Sequence, residues 1–539
     1  MKHIYALIIL FACAFRVQAQ TSFKKTLIDD RPVSNGCMIK TDDGGTLLMG
    51  YTYAPTNDII VTKLSSLYAV EWTKKFDFGK NEVGNCIIQT KDKGIVIAGY
   101  SYDNVLLPDS LFTMIVFKLT NTGTLLWSKK IKTSGNAVAA SIVETKIKTL
   151  LVAGTITPKN STSGAISLIS LDAVGNLLST KKFTTGADMD IFKIMPDYSG
   201  GFMICGVYYN FSSSSPFLMN INSAGIIKWN KYYRTSTSSS DGRFFSMSKT
   251  ADKGYVMTGD YSVNITRGRD LFILKTDSLG NVKWNGLFGS TNADWGNAII
   301  ESSDQGIVVT GTGSMQGNAQ ASKLYTVKVD KNGTLMWSRL AYEGLNRGEG
   351  MAVAEDNDKS YLVFGLNDLS QDATGYFLKY KKNGIICNSP DTLANKRTTA
   401  LTTSTLVFGS ATDGTVVDNP ARISAGTQVI DVCQDAFAST TATGSVNMAI
   451  AATATTKLTT RLLANPVSDK IMLAVASPAS EKLVINVFDN EGRSVINKSM
   501  MVSKGQSTVI LPANDLAKGV YYINIVSRQG KEVLKMIKD

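Results

Sequence analysis

One phrase recurs seven times along this chain, and it constrains the fold more than any other feature. It is an alternating strand, an Asp/Gly turn, and a second strand that ends in glycine. It reads TDDGGTLLMGYT at 41–52, KDKGIVIAGYS at 91–101, YSGGFMICGVY at 198–208, ADKGYVMTGDY at 251–261 and SDQGIVVTGTG at 303–313. Weaker copies are KIKTLLVAGTI at 146–156 and NDKSYLVFGLN at 357–367. The closing glycines are Gly50, Gly99, Gly154, Gly206, Gly259, Gly311 and Gly365, spaced 49, 55, 52, 53, 52 and 54 residues apart. Each copy is followed by a second strand pair with a glycine turn and a tryptophan four residues on. Gly123 leads to Trp127, Gly225 to Trp229, Gly280 to Trp284 and Gly333 to Trp337. In the first repeat Trp72 keeps its place and Tyr68 stands where glycine is expected. Ser179 replaces tryptophan in the third repeat, and Asn388 does so in the seventh.

Each repeat therefore carries four short strands joined by tight turns, and no long segment of helical period competes. Four strands in about 52 residues, repeated seven times, is the pattern of a seven-bladed β-propeller over residues 20–388. A propeller protects its strand edges by closing in a ring. The seventh repeat lacks a good fourth strand after Gly384. The segment Ser22-Phe23-Lys24-Lys25-Thr26-Leu27 mimics Trp72-Thr73-Lys74-Lys75-Phe76. Residues 22–29 are thus expected to complete the seventh blade and join the two ends of the ring.

The chain's first twenty residues read as an export signal. Lys2 and His3 precede an apolar run from Ile4 to Phe15, too short to span a bilayer. Val17-Gln18-Ala19 then forms a cleavage site, giving a signal peptide over 1–19. Leu10-Phe11-Ala12-Cys13 offers a rival, a lipoprotein box. Cleavage removes His3, the only histidine. A chain without histidine cannot run a Ser-His-Asp or Cys-His nucleophile or use histidine as a zinc ligand. It leaves 54 basic residues against 44 acidic ones, scattered singly rather than clustered as nucleic-acid binding requires. No nucleic acid partner and no membrane span in the mature chain are expected.

Beyond the ring, residues 389–435 keep strand-like pieces and read as a β-rich extension. Cys387 and Cys433 bracket it, and a disulfide between them suits an exported protein. Cys37, Cys86 and Cys205 read as buried, unpaired thiols. Residues 436–460, rich in Ala and Thr, read as a linker. Residues 461–539 carry short alternating strands split by Gly and Asn turns, the pattern of a small immunoglobulin-like β-sandwich. The whole chain is expected to be all-β.

Two resemblances follow from these residues. The phrase Asp277-Ser-Leu-Gly-Asn-Val-Lys-Trp284 resembles the repeats of quinoprotein-like and WD40-like propellers, and still more the delta-60-type repeats of secreted Bacteroidota proteins. With seven repeats and no cofactor pocket motif, no quinone or other cofactor is expected. Residues 461–539 closely resemble the type A C-terminal sorting domain of the type IX secretion system. The match lies in Asn465-Pro466-Val467, the turn Asp489-x-x-Gly492-Arg493, the phrase from Leu516 through Gly519 and Tyr521, and the basic end with Lys535 and Lys538. One departure is Ala464, where the family usually has an aromatic residue. The resemblance implies export to the periplasm and recognition by the outer-membrane translocon. It also implies removal of the domain by its peptidase, followed by attachment to the cell surface or release.

The repeated acids Asp43, Asp92, Asp252 and Asp304 lack the spacing of a cation loop. They read as turn residues, and no metal site is expected. The in-register tryptophans read as packing between blades. Trp295 breaks that register just before a first strand. Its counterparts are Ser34, Val83, Val138, Asp190, Arg243 and Glu349, and strand starts tend to ring one mouth of a propeller. Asp190, Arg243, Trp295, Arg347 and Glu349 are therefore candidate ligand contacts for a glycan or protein. No catalytic residue is assigned. Three functions remain open. The first is a non-enzymatic, exported binding propeller. The second is a carboxylate-dependent polysaccharide hydrolase or lyase, which would need an acidic pair such as Asp190 and Glu349 across the channel. The third is a structural or adhesion component.

Overall fold

The structure is a computed structural model. It describes residues 22–28, 33–52, 56–103, 111–159, 161, 163–185, 187–210, 213–234, 241–262, 268–289, 293–314, 322–341, 348–367 and 374–386. It also describes the backbone of six strands between 395 and 434. In the last module it describes 459–462, 467, 469–477, 479–489, 494–502, 505–514, 516–527 and 530–538. The described residues are all-β, with no helix among them. The chain divides into two compact units, Met1–Ala438 and Ser439–Asp539. The signal peptide, Cys13, Cys387 and most of the 436–460 linker lie outside the described residues.

The first unit consists of seven antiparallel sheets, one per repeat, each a blade-like meander of four strands. Their first strands are Val33–Lys40, Asn81–Gln89, Gly135–Glu144, Met189–Pro196, Asp241–Lys249, Trp295–Glu301 and Gly348–Glu355. Each first strand packs against the first strand of the next sheet, and that of sheet 7 packs against that of sheet 1. The apolar residues are arranged to match. One buried cluster lies between each successive pair of sheets, including Phe23, Phe364 and Phe377 with Met38 and Leu48 between sheets 7 and 1. The near-continuous apolar runs of the middle strands, such as Leu47-Leu48-Met49 and Ile95-Val96-Ile97-Ala98, produce this, because both faces of every sheet meet a neighbour.

The fourth strand of sheet 7 is Phe23–Ile28, antiparallel to Thr374–Tyr380, as the sequence predicts. The register is informative. Phe23 stands opposite Lys379 as Trp72 stands opposite Lys63, so Phe23 takes the tryptophan position. Its ring packs 4.9 Å from Tyr68, the residue that replaces the turn glycine of repeat 1.

The 389–435 segment carries strands that pair with the sheets of the first unit. Its six strands are Asn395–Arg397, Thr402–Ser404, Gly409–Ala411, Thr415–Asp418, Arg422–Ala425 and Gln428–Gln434. They add a fifth, outermost strand to sheets 5, 4, 3, 2, 1 and 7 in turn. The segment runs as a belt around the outside of the first unit and finishes against Phe23–Ile28. Cys433 lies on this last strand, but its side chain is outside the described residues.

The second unit has two antiparallel sheets, of three and four strands, around a core that includes Ile471, Leu473, Leu483, Ile485, Ile523 and Ile525. Val467 donates its N–H to Ile537 O at 2.7 Å, so the start of the module is tied to its last strand.

Candidate functional site

Every first strand carries a bulge at the same place, for instance between Gly84 and Cys86, between Ile191 and Lys193, and between Gly350 and Ala352. A bulge adds one residue and re-aims its neighbours. It also explains the closing glycines. A Cβ on Gly99, Gly154, Gly206, Gly259, Gly311 or Gly365 would stand only 1.9–2.3 Å from the carbonyl oxygen of Val83, Val138, Asp190, Arg243, Trp295 or Glu349. The glycine that defines the repeat is required because the bulged strand presses its carbonyl against it. Those six facing residues belong to the ring singled out from the sequence.

The bulged positions line a cavity of ≈ 900 Å³ at the first strands. Asn85, Ala140, Phe192, Phe245, Asn297 and Met351 occupy equivalent places on its wall, followed by Cys37, Cys86 and Lys193 one residue on. Of the four described candidates, only Asp190 lines it. Burial, reinforced by Asp188, raises the Asp190 carboxyl above the ordinary range. Tyr209 Oη donates to Asp190 Oδ2 at 3.4 Å. Arg243 stands directly opposite Asp260 in its ladder, and its Nε lies 3.2 Å from Asp260 Oδ2. Arg269 Nη1 reaches the same oxygen at 3.1 Å, and Arg269 also pairs with Asp241. The Arg243 guanidinium lies 4.9 Å over the Phe245 ring. Two arginines and two aspartates thus form one neutralised network beside the cavity.

Trp295 and Glu349 do come together. Trp295 Nε1 donates to Glu349 Oε1 at 3.0 Å, and Asn297 Nδ2 donates to the same oxygen at 2.7 Å. Glu349 is on sheet 7, three sheets on from Asp190, and its oxygen is already held. Arg347 lies outside the described residues. The sequence reading missed Tyr209, Asp260, Arg269, Lys193, Phe192 and Phe245. The pairing of Arg243 with Asp260, next to the closing Gly259, was the available signal.

Two expectations about residue roles hold. Cys37, Cys86 and Cys205 are free thiols, Cys86 and Cys205 buried and Cys37 half-buried. Burial, with Cys86 adding to it, pushes Cys37 up to about 11, and burial pushes Cys205 up to about 12. Protonated thiols of this kind are poor nucleophiles. The turn aspartates do serve turns. Asp43 Oδ1 accepts the Gly45 N–H at 2.9 Å, and Asp92, Asp252 and Asp304 repeat the contact at 3.1 Å. Each also pairs with a buried lysine on its own third strand, namely Lys63, Lys118, Lys275 and Lys328. Among the described residues one group of three carboxylates converges, Asp58, Asp77 and Glu82, with oxygens within 4.8 Å of one another.

In the second unit, Tyr521 is buried and its hydroxyl donates to Ala517 O at 2.8 Å. Gly519 opens its strand and stands opposite Lys538, while Lys535 stands opposite Tyr522. Asp489 follows the strand Glu481–Phe488. Asn465, Pro466 and Gly492 lie outside the described residues.

Residues 464–539 match the family described as secretion system C-terminal sorting domain. No curated protein matches the chain in sequence. Among solved structures, the chain is similar to a Penicillium chrysogenum alpha-L-arabinanase complexed with arabinobiose. Identity is 11% over 68% of this chain and 99% of that one, with a TM-score of 0.38. It is similar to the polysaccharide lyase Uly1 at 9% identity, over 65% of this chain and 90% of that one, with a TM-score of 0.39. It is also similar to a Trypanosoma rangeli sialidase in complex with the inhibitor DANA, at 8% identity over 94% and 84%, with a TM-score of 0.37. These distant likenesses assign no activity. The C-terminal module is a type IX sorting domain, and the chain is exported through that system to the cell surface or beyond it.

Proposed function

We propose that the first unit is a closed, seven-bladed β-propeller that binds a glycan or surface protein at its channel without transforming it. In this reading the repeats are of the Bacteroidota delta-60 or quinoprotein-like kind, and the second unit is an immunoglobulin-like sandwich. A signal peptide at 1–19 starts the route, and the translocon and sorting-domain peptidase are the partners that complete it. The observation that carries the binding reading is the ≈ 900 Å³ cavity, which sets Asn85, Asn136, Asn297 and Asp190 among Tyr100, Phe112, Phe192 and Phe245. Amides beside aromatic faces suit sugar hydroxyls and sugar rings.

A second reading is a polysaccharide hydrolase or lyase, and one observation favours it. Asp190 is a carboxyl raised by burial, hydrogen-bonded to Tyr209 and facing the cavity. A carboxyl that holds its proton more tightly than usual is better suited to serve as a general acid. Against it, Glu349 is held by Trp295 and Asn297 rather than presented as a partner base.

The test incubates the purified exported protein with plant, algal and bacterial polysaccharides, and measures retention and release of soluble sugar together. Retention without release, weakened at least tenfold by Phe245→Ala, supports binding. Release that Asp190→Asn abolishes supports the enzyme instead. Neither signal on any polymer removes the glycan from both readings and leaves the protein ligand.

A further inference from the structure

The tryptophan of each repeat lies over the turn glycine of the next. A Cβ on Gly123, Gly175, Gly280, Gly333 or Gly384 would meet the indole of Trp72, Trp127, Trp229, Trp284 or Trp337 at 2.6–3.0 Å, and all five glycines are buried. In four cases the indole N–H also bonds the carbonyl two residues before that glycine. Those carbonyls belong to Asn121, Ala173, Lys331 and Lys382, at 2.9–3.2 Å. Phe23 fills the same position over Tyr68. Six of the seven positions therefore hold an aromatic ring supplied by the chain.

The third repeat is the exception, and three residues differ there together. Ser179 stands in the tryptophan position, opposite Ser170. Ser170 stands where Lys63, Lys118, Lys275, Lys328 or Lys379 sits in other repeats. Ile147 stands where the turn aspartate that pairs with the lysine would be, as in Thr90-Lys-Asp92 against Thr145-Lys-Ile147. The result is a groove of ≈ 800 Å³ between sheets 3 and 4. Gly225, the turn glycine that an indole would cover, is half-exposed there and meets only the Lys181 stem. Ser223 has the carbonyl that would take the indole N–H, and it lines the groove. Leu151, Leu168 and Phe202 form its apolar wall, while Lys91, Lys146 and Lys181 bring three cations against Glu144 and Asp197.

We propose that this groove is a binding slot for a small aromatic acid of indole or phenol type. The ring takes the place that Trp72, Trp127, Trp284 and Trp337 take in their own repeats. Its N–H or O–H edge meets the Ser223 carbonyl, and its anionic group meets Lys146 and Lys181. Lys181 now rests over Gly225 with its Nζ on Ala224 O at 2.6 Å. A flexible side chain can swing from that position at little cost. The volume is within the range of small-molecule sites. The slot is separate from the cavity at the first strands, so failure of either reading leaves the other standing.

The experiment titrates the full purified chain with indole-3-acetate by isothermal calorimetry and by ligand-observed NMR, with cyclohexylacetate and uncharged indole as comparison probes. Expected is saturable binding at one site per chain, at least tenfold tighter than cyclohexylacetate. Ser179→Trp restores the indole from within, so it should abolish binding while raising the melting temperature. Lys146→Glu is an exposed substitution that leaves the core intact. It should weaken indole-3-acetate at least fivefold and leave indole unchanged. Absence of saturable binding overturns the proposal, as does binding that persists in Ser179→Trp. If Ser179→Trp does not fold, equal loss of both probes in Lys146→Glu, or no loss of either, overturns it.

Discussion

Glu82 should make the first unit lose stability as the pH rises through neutrality, and replacing it should remove that loss. The residue is the second of the first strand of sheet 2 and is fully buried. Its Oε1 accepts the Lys80 N–H at 3.0 Å, while its Oε2 has no hydrogen-bond partner. Burial, opposed by the Phe78 and Lys80 N–H groups and reinforced by Asp58 and Asp77, raises its pKa from 4.5 to about 8. Between those values the folded chain holds the proton and the unfolded chain has released it. The folded state binds more protons, so stability falls with rising pH. The contribution is fully present below 4.5 and gone above about 8. The slope is about 1.4 kcal/mol per pH unit, or about 5 kcal/mol over the whole interval as an upper bound. Glu82→Gln keeps the shape and stays neutral. Its stability should lie within about 1 kcal/mol of the parent at pH 5 and exceed it by several kcal/mol at pH 9. Urea unfolding followed by tryptophan fluorescence reads this cleanly, because all six tryptophans precede residue 338 and report the first unit alone. The buffers should contain EDTA, so that no cation replaces the proton. Asp190, raised in the same direction, contributes to both proteins and cancels in their difference. Parallel pH curves for parent and variant would refute the reasoning.

Other outcomes follow from the same geometry. Trp284→Ala uncovers Gly333 and frees Lys331 O, and should lower stability by about 2–3 kcal/mol, whereas Ser179→Ala in the equivalent place should cost under about 0.5 kcal/mol, both read by urea midpoint. Deleting 389–435 strips the outer strand from six sheets. It should lower the midpoint and drive association through the bared edges, seen as larger species on size exclusion. A monomer with an unchanged midpoint would show the belt to be dispensable. Deleting 464–539 should leave the protein in the periplasm, measured by fractionation, since the sorting domain lies wholly within it.

The repeat phrase was legible because each of its letters answers a local physical demand that recurs in most of the repeats. The closing glycine is needed where a bulged carbonyl approaches, the turn aspartate where a Gly N–H needs an acceptor, and the tryptophan where the next turn must be covered. The belt was legible only as strand-like pieces within 389–435. Its strands are three to seven residues long. Nothing local in them marks which outer edge each one joins, because that depends on sheets far away in the sequence. The same holds for the site. Arg243 could be picked out as a departure from the repeat, but its fate depended on Asp260 across the ladder and Arg269 from the following turn. Departures from an internal repeat thus locate positions released from the common packing task, without saying what those positions do instead. At Glu349 the released position turned inward, to an adjacent tryptophan and asparagine. At Ser179, Ser170 and Ile147 three positions were released side by side, and no neighbour closed the space they left. A single departure is readily absorbed by packing. A coordinated set that leaves an open groove is the kind the fold itself does not require, and it is where a ligand has room to act.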